Sequence, residues 1–270
     1  MGITMTPFIK KLTLLLTSLT ISLSAFAYQR VVTITPDVAD IMVALGDANK
    51  VVGKDTTNKT PALKHAAVVG MHRNITPEAI VATQPDLVLG SYMAQPSSIF
   101  QRLNQLNIEA INVAPNEKVA TYASSIVKIG KLMGKPMAAQ RMADEWLSGM
   151  NTRPATKKRY LLSYDGRIVA GKGTVADELI RRAGGINAAN VKGFVPMSRE
   201  GWLAAKADVI IIADHHKATL GSLEQYKQRP EIAINPAAKN NNIQFWPAND
   251  FLRYGLDSPA VIDKLNKLAK

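Results

Sequence analysis

A unit that occurs twice constrains this chain more than any other feature: a capped helix followed, after a short break, by an unbroken apolar run. The first copy reads Ile75-Thr76-Pro77-Glu78-Ala79-Ile80, then Pro85-Asp86-Leu87-Val88-Leu89-Gly90. The second reads Met197-Ser198-Arg199-Glu200-Gly201-Trp202-Leu203, then Ala207-Asp208-Val209-Ile210-Ile211. Thr76 and Ser198 stand where an N-cap is wanted, Pro77 suits the first helical position, and one acid falls in each first turn. A strand that is apolar at every position must be covered on both faces, as in a parallel sheet flanked by helices.

The remaining segments follow the same grammar. Val31 to Thr35 is β-branched, Pro36 to Leu45 is helical and stops at Gly46, and Val51-Val52-Gly53 restarts a strand. Ser97 to Leu106 is amphipathic and precedes the strand Ala110 to Val113. Between Lys118 and Met150 there is no strand signal. Val119, Tyr122, Ile126, Ile129, Leu132 and Met133 keep helical spacing, which breaks at Gly134-Lys135-Pro136 and resumes through Met142, Trp146 and Met150. Beyond it, Tyr160–Ser163 and Arg167–Ala170 flank an Asp165-Gly166 turn, a hairpin signal. A helix over 176–183 stops at Gly184-Gly185, and Ser258-Pro259 opens a terminal helix. The expected fold is α/β: two Rossmann-like lobes, 28–117 and 151–270, joined by a single long helix over 118–150. The ligand cleft is expected between the lobes.

Residues 1–27 read as a cleaved secretory signal. Lys10-Lys11 forms its positive n-region, Leu12 to Leu23 is apolar but diluted by Thr and Ser, and Ala25-Phe26-Ala27 offers a cleavage site. The apolar stretch is short for a membrane span. No Cys occurs anywhere, which excludes disulfides, thiol nucleophiles and a lipoprotein anchor. Thirty-three basic residues against 21 acidic ones make a net charge of +12. The lysines are scattered and not interleaved with aromatics, so a nucleic-acid partner is not expected; a solvated basic surface is.

No Gly-x-Ser-x-Gly elbow, Walker loop, His-Glu-x-x-His or dinucleotide fingerprint occurs, so an enzyme is not expected, nor is a catalytic cofactor. Gly171-Lys172-Gly173-Thr174 lacks the glycine spacing of a phosphate loop and reads as a strand-to-helix turn capped by Thr174. His215-His216 follows the second apolar strand. An adjacent pair is not a metal-chelating spacing on a strand, since the two rings face opposite ways.

Taken in order, several short motifs resemble the helical-backbone class of periplasmic substrate-binding proteins of ABC importers, which take up vitamin B12, siderophores and haem. Val51 to Thr57, Val69-Gly70-Met71-His72-Arg73, Val169 to Asp177, Ala183 to Ala188 and Phe251 to Gly255 are most similar to haemin-binding members. The resemblance implies a periplasmic protein that captures haem and passes it to an inner-membrane permease, with an outer-membrane haem receptor as an indirect partner. Haem is then transported cargo. It also implies that Glu78 and Glu200, one per lobe, dock on the permease; helix capping alone is the other reading of both acids. Relatives carry a ligating Tyr after the glycine, where this chain has Met71, with His72 beside it and the expected Arg73 two residues on. Met71 and Tyr164 are the expected iron ligands, with His72 a third candidate. Tyr92 is expected to line the site, and Arg73, Arg167 and Arg253 to grip the haem carboxylates.

Overall fold

A computed structural model of the chain describes residues 28–268. The signal segment read at 1–27 lies outside the described residues. The N-terminal lobe runs β1 (Val31–Thr33), α1 (Pro36–Ala44), β2 (Val51–Asp55), β3 (Ala67–Gly70), α2 (Pro77–Val81), β4 (Leu87–Ser91), α3 (Ile99–Gln105) and β5 (Ala110–Ala114). Its sheet is parallel throughout, in the order β3-β2-β1-β4-β5. Strand order reverses between β1 and β4, and the loops after such a switch point are where open α/β sheets bind ligands.

Two helices follow, α4 (Val119–Leu132) and α5 (Pro136–Gly149). The stretch expected as one rod is helical nearly throughout and joins the lobes, but it folds back at Gly134-Lys135-Pro136. Gly134 takes a left-handed φ of 73° there, and Pro136 starts α5. Tyr122 near the start of α4 therefore stacks on Trp146 near the end of α5, ring centroids 4.7 Å apart. Gly130 lets the helices close up: a Cβ there would stand 2.0 Å from that of Ala139.

The C-terminal lobe contains β6 (Arg159–Ser163), β7 (Ile168–Ala170), α6 (Val175–Arg182), β8 (Ile186–Asn187), β9 (Phe194–Pro196), α7 (Arg199–Ala205) and β10 (Val209–Ala213). Short helices occupy much of 217–239, before β11 (Ile243–Trp246), α8 (Asn249–Leu252) and α9 (Ser258–Lys267). The sheet order is β11-β10-β6-β7-β9, with β8 beside β6. The hairpin read at Asp165-Gly166 is the antiparallel β6–β7 pair, so this sheet is mixed. Thr174 and Ser198 cap α6 and α7 as expected, accepting from the N–H groups of Asp177 and Gly201. Thr76 occupies the N-cap position of α2 in extended backbone, without a side-chain cap bond.

Period-two alternation sorts the continuous apolar strands into separate cores. Val31, Leu87 and Leu89 join Tyr160, Leu162, Val209 and Ile211 in one cluster that spans both lobes. Val32 and Val88 face the opposite side of the N-terminal sheet, and Leu161, Ile210 and Ile212 the opposite side of the other. The lobes thus share a core instead of hanging on a loose linker. The Trp146 indole donates to the Gly255 carbonyl at 2.8 Å across this junction.

Candidate functional site

A cavity of about 440 Å³ opens between the lobes, within the range usual for small-molecule sites. Its N-terminal wall comes from loops at the carboxyl ends of three strands: His72 and Arg73 after β3, Tyr92 and Met93 after β4, and Glu117 after β5. The opposite wall is largely apolar, built by Ala170, Val175, Ala176, Phe194, Phe251 and Leu252. Arg73 is the one cation among the lining residues.

Backbone geometry decides which way the Gly70–Arg73 turn points its side chains. Gly70 has φ 129°, which side-chain-bearing residues rarely adopt, and Met71 pairs with Asn74 in an isolated antiparallel bridge. Met71 points outward and is 46% exposed, while His72 points inward and is 7% exposed. The His72 Nδ1 lies 3.1 Å from Oδ2 of the fully buried Asp55, which also accepts the His72 backbone N–H. Thr57 donates its N–H at 2.7 Å and its hydroxyl to the other Asp55 oxygen. Burial alone would raise the Asp55 carboxyl, but the bonds from His72 and Thr57 outweigh it and hold it below the ordinary carboxylate range.

Tyr92 lines the cavity, yet its hydroxyl is enclosed without a hydrogen-bond partner among the described residues, and burial pushes its phenol well above the ordinary value. That environment disfavours a phenolate. Tyr164 stands across the cleft mouth, its ring 5.8 Å from the Arg73 guanidinium carbon. It is surrounded by Phe194, His215 and His216, at centroid distances of 5.8, 4.9 and 4.4 Å. The two histidines do not face apart: β10 ends at Ala213, and a 3-10 turn over Asp214–His216 brings their rings to 4.2 Å. Among the described residues no group of three or more His, Asp or Glu is arranged to hold a bare metal ion.

Two of the three expected carboxylate-gripping arginines stand elsewhere. The Arg167 side chain is 81% exposed and pairs with Asp165 on the outside of the hairpin turn. Arg253 is buried, and its Nη2 binds Asp40 Oδ2 at 2.8 Å, tying the C-terminal lobe to α1. Burial works against the Arg253 charge, but Asp40 and Asp37 outweigh it and keep the guanidinium protonated. Sequence reasoning had no means to find this pair, whose members are 213 residues apart. Nor did it mark Glu117, Phe194 or Leu252 as lining. Glu78 and Glu200 are both exposed in their helices' first turns. The Thr76 hydroxyl and its own N–H lower Glu78, and its own N–H and the Ser198 hydroxyl lower Glu200, so both carry charge at neutral pH.

Two mixed lobes around a central cleft are one outline among many, but a family model for periplasmic binding proteins matches residues 31–249. The chain belongs to the periplasmic binding protein family. This binding protein is 26% identical over 209 residues to the uncharacterized ABC transporter substrate-binding lipoprotein YvrC of Bacillus subtilis, covering 70% of the chain and 65% of that relative, just under two thirds of its length. It is 25% identical over 203 residues to the vitamin B12-binding protein of Yersinia pestis (strain Pestoides F), covering 72% of each. The solved structure of the periplasmic haem-binding protein RhuT from Roseiflexus sp. RS-1 superposes with a TM-score of 0.80 at 25% identity, over 90% of this chain and 99% of that one. The periplasmic haem-binding protein BhuT, solved with two haems, gives 0.80 at 26% identity, over 89% and 97%.

Proposed function

We propose that the mature chain captures haem in the cleft between its lobes and delivers it to the permease of an ABC importer. The observation that carries this reading is the cleft itself. An apolar wall of Val175, Phe194, Phe251 and Leu252 faces a turn that brings His72 and the lone cationic side chain, Arg73, to the same cavity. A planar apolar macrocycle fits such a wall, its iron needs a donor at the turn, and its carboxylates need a guanidinium at the rim. The likeness to solved proteins named as haem-binding supports the same reading.

Iron is held at the mouth, by a donor from the Gly70–Arg73 turn with Tyr164 across from it. Arg73 grips a propionate, while Arg253 holds the lobes together and Arg167 faces solvent. The protein acts as a carrier, not a catalyst. It reaches the periplasm through cleavage after Ala27, and an outer-membrane receptor supplies its haem indirectly. Glu78 and Glu200, one exposed charge per lobe, set the register on a permease with matching basic sites.

Titrating the purified chain, without residues 1–27, with haemin tests the reading. A Soret band that shifts and saturates at one or two equivalents is expected. No spectral change with haemin, alongside saturable binding of cobalamin or a ferric siderophore, would overturn the haem assignment and keep the carrier.

A further inference from the structure

Within the haem reading, on which this inference rests, the choice of iron ligand follows from the local geometry of the turn. We infer that the N-terminal lobe gives the iron the Nε2 nitrogen of His72, with Asp55 as the positioning residue that fixes the ring and its tautomer.

Three observations carry the assignment. First, the turn points Met71 outward, and Met71 does not line the cavity, whereas His72 does. Second, both oxygens of the fully buried Asp55 already accept bonds, Oδ1 from the Thr57 N–H and hydroxyl and Oδ2 from the His72 backbone N–H, so the His72 ring nitrogen 3.1 Å from Oδ2 is placed to donate. In the neutral imidazole that donor role at Nδ1 leaves the lone pair on Nε2, at the opposite edge of the ring. Third, Nε2 has no hydrogen-bond partner among the described residues, and it is not one of their fully enclosed polar atoms. A histidine that donates one nitrogen to a carboxylate and turns the other into a cavity is the usual arrangement of a metal-ligating imidazole. A carboxylate partner also makes the imidazole a stronger donor, which suits ferric haem better than a neutral thioether does. A purely structural dyad bracing the turn would show the same Asp55 bonds, so the test must read the iron.

The chain without its first 27 residues is loaded with haemin and followed by optical absorption, electron paramagnetic resonance and, after reduction, resonance Raman spectroscopy. His72→Ala should weaken haem binding at least about tenfold and move the Soret band, and added imidazole should restore the original spectrum. Met71→Leu should leave the spectrum unchanged. Asp55→Asn should keep the histidine on iron but lower the iron–nitrogen stretching frequency, a change that bracing alone would not cause. Should His72→Ala fail to fold, the His215→Ala, His216→Ala double variant labelled with 15N-histidine answers instead: the strong 15N hyperfine coupling to the ferric haem seen in the labelled wild-type chain should persist in it. An unshifted spectrum in His72→Ala, a shifted one in Met71→Leu, or loss of the 15N coupling in the double variant would overturn the assignment while haem binding stands. A wild-type chain that binds no haemin would overturn the haem reading and this inference together.

Discussion

Neutralising Asp40 should cost this protein far more than removing the arginine it pairs with. Arg253 is 5% exposed, and its guanidinium has one carboxylate contact, to Asp40 at 2.8 Å, besides donating to the Tyr254 carbonyl at 3.1 Å. Its Nε is enclosed without a hydrogen-bond partner among the described residues. Asp40→Asn leaves that cation buried and without its salt-bridge partner, which typically costs about 3–5 kcal/mol. Asp37 stands nearby and the Asp40 side chain is 29% exposed, so the lower end, about 3 kcal/mol, is expected. In Arg253→Met the orphan is the more accessible carboxylate. It keeps Asn58 at 3.2 Å and Thr60 at 3.4 Å and can recruit water, so the loss should be about 1.5 kcal/mol, that of one charge-assisted hydrogen bond. The double variant should be more stable than Asp40→Asn alone, because no uncompensated charge remains. Urea unfolding of the apo chain measures all three. For a chain of this size about 3 kcal/mol corresponds to roughly 6–12 °C in melting temperature. Equal losses for the two single variants, or additive losses in the double, would refute the reasoning.

Three further outcomes follow from the same geometry. The Asp55 carboxyl is held below its ordinary value of 3.8, so its contribution to stability is complete above about pH 4 and is lost as pH falls through the depressed value. Asp55→Asn should therefore flatten the acid limb of stability against pH, and an unchanged limb would contradict the bonding described. Gly130→Ala should drive α4 from α5, because the new methyl meets Ala139, and cost about 1–3 kcal/mol in urea unfolding. Reversing both Glu78 and Glu200 to Lys should leave haemin affinity and folding intact while uptake in vesicles carrying the permease collapses; a role confined to helix capping predicts normal uptake.

The fold was legible where burial is two-sided. Leu87-Val88-Leu89 and Val209-Ile210-Ile211 are apolar at every position because alternate residues enter different cores, and that continuity marks parallel strands from sequence alone. The edge strand β3 carried no such mark: Val68 is 59% exposed and the strand spans Ala67–Gly70 only. β11 was hidden behind the run of short helices before it. In the site, the sequence placed Met71 ahead of His72 as the residue facing the ligand; the structure turns His72 inward instead, because its ring and backbone N–H are held by Asp55, 17 residues earlier. Strand alternation misjudged His215 and His216, since the strand ends before them. Long-range charge pairing left no local trace: Arg253, expected at the ligand, is buried in a pair with Asp40 of α1.

Iron anomalous scattering from crystals of the haemin-loaded protein tests the central claim most directly. The account predicts iron inside the cleft between the two lobes, beside the His72–Arg73 turn and facing the wall that contains Phe194 and Phe251. Iron located only on the outer surface, or an empty cleft in crystals of protein saturated with haemin, would contradict it.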